Sequence, residues 1–281
     1  MVYFDHWAHA RFSRDRQLGE RFATILHGRQ GTLALSILNL AEFSGLTDLS
    51  QASAAESFLE ALLPRLFFMN FLPAEVVAGE VERWTGRTVQ NPAGDITLLR
   101  QFGLPMSAGR GPFHARGLFS TVVRQRSHVQ NLMAGLVNRV TADYDQYRKT
   151  HPPGPRLTKK ISSQLSNMVK LPRATEALRI ALIEQQFGEG KAEIHPHDAI
   201  DMLHTVVPVA YCQFVLLDGR WCDLVERARK RLTNAGITGL ARVYSERRNG
   251  LNTFLDVLEA YTPEAENVTP GGIAIPPVPS A

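Results

Sequence analysis

The chain has 281 residues, 44% of them hydrophobic and 21% charged, with a formal net charge of +4. That is ordinary globular composition, with enough apolar residues for a sizeable core, and the length allows one elaborated domain or two small ones. Its two cysteines, Cys212 and Cys222, exclude a disulfide framework, and the chain contains no run of about 18 apolar residues that would mark a transmembrane helix.

The first turns carry Asp5, Arg11, Arg14 and Asp15 rather than the apolar core of a signal peptide. Both cysteines sit in apolar or helical contexts, as buried thiols in a reducing cytosol do. A soluble, cytoplasmic protein is the expectation.

Taken in chain order, Val2 to Phe4 reads as a short strand. Trp7 to Leu26 has apolar residues near helical spacing and is closed by Gly28 and Gly31. Thr32 to Ser36 alternates as a strand, and Leu38 to Ser44 begins a helix. Ser50 to Leu63 is an amphipathic helix that ends before Pro64, and Leu66 to Met69 is a strand. Pro73 opens a helix that runs to Trp84, Pro being favoured at the first helical position.

From 86 to 190 the pattern turns helical and basic. Leu98 to Phe102 is a short helical piece, and Gly103 to Pro112 is a Gly/Pro/Ser-rich loop. Leu118 to Tyr147 reads as one long helix, His151 to Pro155 breaks the chain, and Leu157 to Phe187 returns to helix. Between Leu104 and Arg173 the only acids are Asp143 and Asp145, among many Arg and Lys. Such an asymmetry points to a polyanion partner or to a solvated basic face.

The α/β pattern then resumes. Pro196 opens a helix holding Asp198, Asp201 and His204. Gln213 to Leu217 is a strand, Trp221 to Leu232 a basic amphipathic helix, Ile237 to Tyr244 a last strand and Leu251 to Tyr261 a last helix. Residues 262–281 are rich in Pro and Gly and read as a disordered tail. The simplest organisation is one α/β domain made of 1–90 and 191–261, with 91–190 as a basic helical insertion.

Four acids mark strand ends or early helical turns. Asp5 ends the first strand, Glu42 follows the second, Asp201 lies on the helix before the fourth, and Asp218 ends that strand. In an open parallel sheet the carboxyl ends of the strands share one edge, where ligands bind. Carboxylates remote in sequence therefore meet there. They repel one another unless a cation intervenes, and oxygen ligands suit Mg²⁺ or Mn²⁺. Each acid also has a plain structural use: Asp5 as a helix N-cap, Asp218-Gly219 as a turn, Glu42 as a half-exposed helical residue and Asp201 as a cap or an Arg partner.

Val2-Tyr3-Phe4-Asp5, Ser36 through Glu42, Asp198 through His204 and Phe214 through Asp218 together resemble the PIN-like ribonucleases, which include toxin nucleases of bacterial toxin–antitoxin pairs. The resemblance covers the two ends and little between 86 and 190. It implies a three-layer α/β/α sandwich with a mostly parallel sheet and, here, a helical insertion. It also implies Mg²⁺ or Mn²⁺ held by Asp5, Glu42, Asp201 and Asp218, with hydrolysis of RNA phosphodiesters. Asp198 competes with Asp201 for the third place, and His204 is an additional or packing residue. Arg110, Arg116, Arg124, Arg126, Lys159, Lys160, Arg227 and Lys230 would bind nucleic-acid phosphates. A toxin or defence role follows from the same resemblance, with an antitoxin or a second copy as partner.

The chain departs from the family pattern where His6 and Trp7 follow the first Asp and where Leu216 and Leu217 precede the last. A catalytically degenerate nucleic-acid-binding or scaffold protein is therefore the alternative, and DNA remains open as a substrate because phosphate contacts carry no sugar identity. The set His195, His197, Asp198, Asp201 and His204 raises two rivals: an HD-type phosphohydrolase, which needs an all-α fold, and a zinc site from His197, Asp201 and His204.

Overall fold

The computed structural model describes residues 1–45, 49–98, 114–150, 174–188 and 195–262. The Gly103–Pro112 loop, Arg110, the 151–155 break, Lys159, Lys160 and the tail beyond residue 262 lie outside them, as does the first half of the 157–187 helix.

Five strands form one sheet in the order β3-β2-β1-β4-β5, every pairing parallel. They are β1 (Val2–Phe4), β2 (Leu33–Leu35), β3 (Leu66–Phe68), β4 (Phe214–Leu216) and β5 (Arg242–Tyr244). The helices are α1 (His6–Arg14), α2 (Arg16–Gly28), α3 (Ile37–Glu42), α4 (Leu49–Leu62), α5 (Pro73–Trp84), α6 (Leu118–Arg124), α7 (Arg126–Thr150), α8 (Ala174–Gly188), α9 (Pro196–Tyr211), α10 (Gly219–Asn234) and α11 (Gly250–Ala260). The chain steps outward from β1 to β3, then crosses back to lay β4 on the other side of β1. The strand order reverses between β1 and β4, and their carboxyl ends form a topological switch point.

Strand side chains alternate between two separate cores. Val2, Phe4, Leu33, Leu35, Phe214 and Leu216 pack with residues of α1, α2, α4 and α11. Tyr3, Ala34, Val215 and Val243 pack with residues of α8, α9 and α10. The sheet is therefore covered on both faces, as a parallel sheet requires. The five-stranded sheet removes the HD-type reading, whose fold is all-α.

Several boundaries differ from the sequence expectation. The Trp7–Leu26 segment is two helices, broken at Asp15, whose extended backbone lets its carboxylate cap Leu18 N–H at 3.1 Å. The 118–147 helix is also two, broken at Gln125 (φ −96°, ψ 22°). The last strand is only Arg242–Tyr244, because Gly236 and Gly239 both take positive φ and turn the chain before it. Of the 91–190 stretch, α8 reaches the domain core: Ala177, Leu178, Ala181 and Leu182 are buried with Val206 of α9 and Val225 of α10. Helix α9 is buried almost all round from Met202 to Tyr211, with α5, α7, α8 and α10 packed against it.

On the other face Phe4 stacks on Phe12 with ring centroids 4.6 Å apart and lies 4.8 Å from Phe22. His9 stands edge-on to Phe4 at 5.5 Å, fully enclosed, and neither ring nitrogen has a hydrogen-bond partner. Burial holds its pKa down at about 3, so the ring is neutral. A buried polar group without a partner costs free energy. His9→Leu is expected to stabilise the protein by about 1–2 kcal/mol, read as a higher urea midpoint; an unchanged or lower midpoint would show that the ring has a partner after all.

Candidate metal centre

Three elements deliver side chains to the switch point. Asp5 directly follows β1, and its amide donates to Leu216 O of β4 at 3.0 Å, which continues the ladder one residue past Phe4. Its carboxylate caps α1, accepting from His6 N–H at 2.7 Å. Asp218 follows β4 and caps α10, accepting from Arg220 and Trp221 N–H at 2.7 and 3.0 Å. Asp5 thus has the capping role that sequence allowed, and Asp218 caps a helix where sequence offered a turn, both at helix starts that favour negative charge. Glu42 is the last residue of α3 and reaches back over the same edge.

Asp5, Glu42 and His204 each offer a ligand-type atom within 4.8 Å of the others, the one such group among the described residues. His204 Nε2 lies 3.1 Å from Glu42 Oε2, and His6 Nδ1 lies 3.9 Å from the same oxygen. His6 Nδ1, Glu42 Oε2 and His204 Nε2 are buried, yet none makes an aligned hydrogen bond. His204, expected as an additional residue, is therefore central to the cluster.

Behind this group runs a buried chain of polar contacts. His204 Nδ1 is 2.5 Å from the Tyr3 hydroxyl, which is 3.2 Å from Ser36 Oγ. Asn39 accepts at Oδ1 from Ser36 N–H (2.8 Å) and Oγ (3.2 Å), and donates through Nδ2 to Phe4 O at 2.9 Å. Asn39 thus ties the end of β1 to the turn into α3. Asn39→Ala would leave Ser36 N–H and Phe4 O buried without partners, at a cost of about 2 kcal/mol measurable by urea unfolding. No change in midpoint would remove Asn39 from the frame of the site.

The remaining expected acids separate. Asp201 accepts from Trp221 Nε1 at 2.9 Å and feels Asp5 and Asp218. Asp198 is paired with the Arg220 guanidinium one helical turn away. The geometry therefore favours Asp201 over Asp198 as the acid that faces the cluster. His197 is exposed at the start of α9 and lies outside the group of ligand-type atoms, so the zinc set with His204 does not assemble.

The electrostatics show a cluster short of positive charge. Burial raises the Asp5 carboxyl to about 6; His204 opposes that rise, while Glu42 adds to it. Burial, then Asp5 and Asp218, raise Asp201 to about 7. Burial alone would lower His204, but Glu42, Asp5 and Asp201 lift it to about 9. Burial would raise Glu42, but the His204 imidazolium brings it below its ordinary value. A divalent ion fits such a site on three counts: the donor types, the unaligned buried atoms and the carboxylates that resist ionising together.

Five of the expected phosphate contacts lie among the described residues, spread over the turn before α6, α6, α7 and α10. Arg126 donates to Ser44 and Gly45 carbonyls at 2.8 and 2.6 Å, fastening α7 to the turn after α3. Arg116 sits 3.9 Å from Glu60, and Arg124 is exposed at the end of α6. Arg227 and Lys230 are exposed on α10, about 14 and 18 Å of helix rise beyond Asp218. Sequence reasoning missed Arg247, whose side chain crosses Gly219 so closely that an added Cβ would lie 2.4 Å from its Nε. Only glycine leaves room for a guanidinium at that helix start.

Burial raises the Cys212 thiol to about 12 and Cys222 to about 11, as inert structural thiols would be. No helix among the described residues is long and apolar enough to cross a membrane. No family model matches the chain, and neither the curated proteins nor the solved structures contain a match to it.

Proposed function

We propose that the chain is a metal-dependent nuclease of PIN-like type, hydrolysing RNA phosphodiesters at the carboxylate cluster. The observation that carries the reading is the convergence of Asp5, Glu42 and His204 at the switch point of a parallel sheet, with Asp5 and Asp218 near enough to Asp201 to raise its cost of ionisation. The 3-2-1-4-5 strand order with helices on both faces agrees with the resemblance seen in the motifs.

Asp5 and Glu42 would hold the ion. A divalent cation there supplies a lower pKa for water and offsets phosphate charge. Asp201, which faces Asp5 and Asp218 and is held in place by Trp221 Nε1–H, is placed to take a proton from the attacking water. Arg247 and Arg220 put positive charge at the rim for flanking phosphates, with Asp198 steadying Arg220.

One observation favours a second reading. The imidazolium of His204 already gives the cluster a cation, as a catalytically degenerate binder would need. Labelled single-stranded RNA beside matched DNA, with Mg²⁺, with Mn²⁺ and with EDTA, separates the two. The nuclease cuts RNA only with metal. Binding without cutting under every condition supports the degenerate protein, and cutting of DNA alone corrects the substrate.

A further inference from the structure

We propose that His204 Nε2 is a ligand of the cation held by Asp5 and Glu42, and that Tyr3, Ser36 and Asn39 hold its ring in the ligating tautomer. The site would then take Mn²⁺, Co²⁺ or Zn²⁺ in preference to Mg²⁺. The inference rests on the cation reading of the cluster, not on cleavage.

The tautomer follows from counting protons along the buried chain. Asn39 donates through Nδ2 to Phe4 O, which fixes the amide and leaves Oδ1 only able to accept. Ser36 Oγ–H is 3.2 Å from that oxygen and so donates to it. Having spent its proton, Ser36 Oγ can only accept from the Tyr3 hydroxyl, 3.2 Å away. Tyr3 Oη in turn can only accept from His204, so Nδ1, 2.5 Å away, carries the hydrogen. The neutral ring then presents the Nε2 lone pair on its other side.

That lone pair faces an acceptor. Nε2 lies 3.1 Å from Glu42 Oε2, and a ligand-type atom of Asp5 lies within 4.8 Å of one from Glu42 and one from His204. In the metal-free protein a proton on Nε2 pairs the ring with Glu42, without an aligned hydrogen bond, and a divalent cation would take that proton's place between the two atoms. Metal-bound histidines commonly show this arrangement, the far nitrogen donating to a fixed partner that sets the ring. Imidazole suits Co²⁺ or Zn²⁺, and Mn²⁺ accepts it beside carboxylates more readily than Mg²⁺, which dehydrates reluctantly and retains its waters.

Electron spin-echo spectroscopy of Mn²⁺ added to the whole protein tests the ligand directly. Wild type is expected to show modulation from a coordinated ¹⁴N, and His204→Gln to lose it. Calorimetric titration is expected to give Mn²⁺ the tighter binding in wild type, weakened by about 10–100-fold in Tyr3→Phe with the nitrogen signal kept. Bound Mn²⁺ without nitrogen modulation overturns the proposal, and this outcome needs no variant to fold. So does modulation that persists in His204→Gln, which would assign the nitrogen elsewhere. Equal affinity for Mg²⁺ and Mn²⁺ overturns the selectivity. If RNA is cut with metal but no nitrogen is seen, the nuclease reading stands and this ligand falls. If nitrogen is seen but nothing is cut, the ligand stands and the nuclease falls. If wild type binds no Mn²⁺, both fall.

Discussion

Asp5→Asn is expected to lower cleavage on the order of 10³-fold while making the metal-free protein more stable. The two effects share one cause. Asp5 is buried among Glu42, Asp201 and Asp218, and its pKa rises from 3.8 to about 6. Between those values the folded protein holds a proton that the unfolded chain has lost, so stability falls as pH rises through that window. Above pH 6 the ionised carboxylate costs about 2–3 kcal/mol. Asparagine removes the charge and still accepts from His6 N–H, which keeps the cap on α1. Thermal melts in EDTA should show the variant several degrees above wild type at pH 8, with the gap closing near pH 4. Equal melting at both pH values would mean that the cluster places no strain on Asp5, and one reason to expect a cation would go.

Glu42→Gln is expected to move stability the other way, by about 3 kcal/mol at pH 6–7. His204 is fully buried, and the Glu42 carboxylate is the main reason its pKa reaches about 9. A group raised from 6.5 to about 9 stabilises the fold fully below 6.5, and that contribution is lost as pH rises through 9. Glu42, with its pKa lowered, contributes above its ordinary value and loses this as pH falls through the folded one. The pair is thus most stabilising between these limits. Removing one partner leaves a buried charge uncompensated, which costs more than the pair itself is worth. Urea unfolding of metal-free protein should show the penalty near pH 6.5 and its decline above pH 9. Two carboxylates of one site with opposite effects would be hard to explain if both were ordinary surface acids.

The strand ends were the readable part of this molecule. Short apolar runs bounded by acids put Asp5 after β1 and Asp218 after β4, and parallel pairing then forces both to one edge. The order of β1 and β4 is what makes that edge a crevice, and no local pattern encodes it. In sequence His204 stands only as an additional or packing residue, or one of a rival zinc set, on the helix with Asp201. Its importance comes from Tyr3, whose outward alternation from Phe4 points its hydroxyl at α9. The break at Asp15 had a signal, an Asp three residues before the N–H it caps. The break at Gln125 had none, because the segment carries neither Gly nor Pro there. Arg247 was unreadable for a similar reason: its place beside Asp218 depends on β5 lying next to β4. The stretch reads as an insertion because charge dominates it, whereas the alanines and leucines of α8 at its end lie in the domain core.

The most direct test of the metal centre is anomalous scattering from crystals soaked in Mn²⁺. A peak within coordination distance of Asp5, Glu42 and His204 is the expected result, lost in Asp5→Asn. Ordered side chains at the switch point with no peak there, or a peak seated on other residues, would contradict the account.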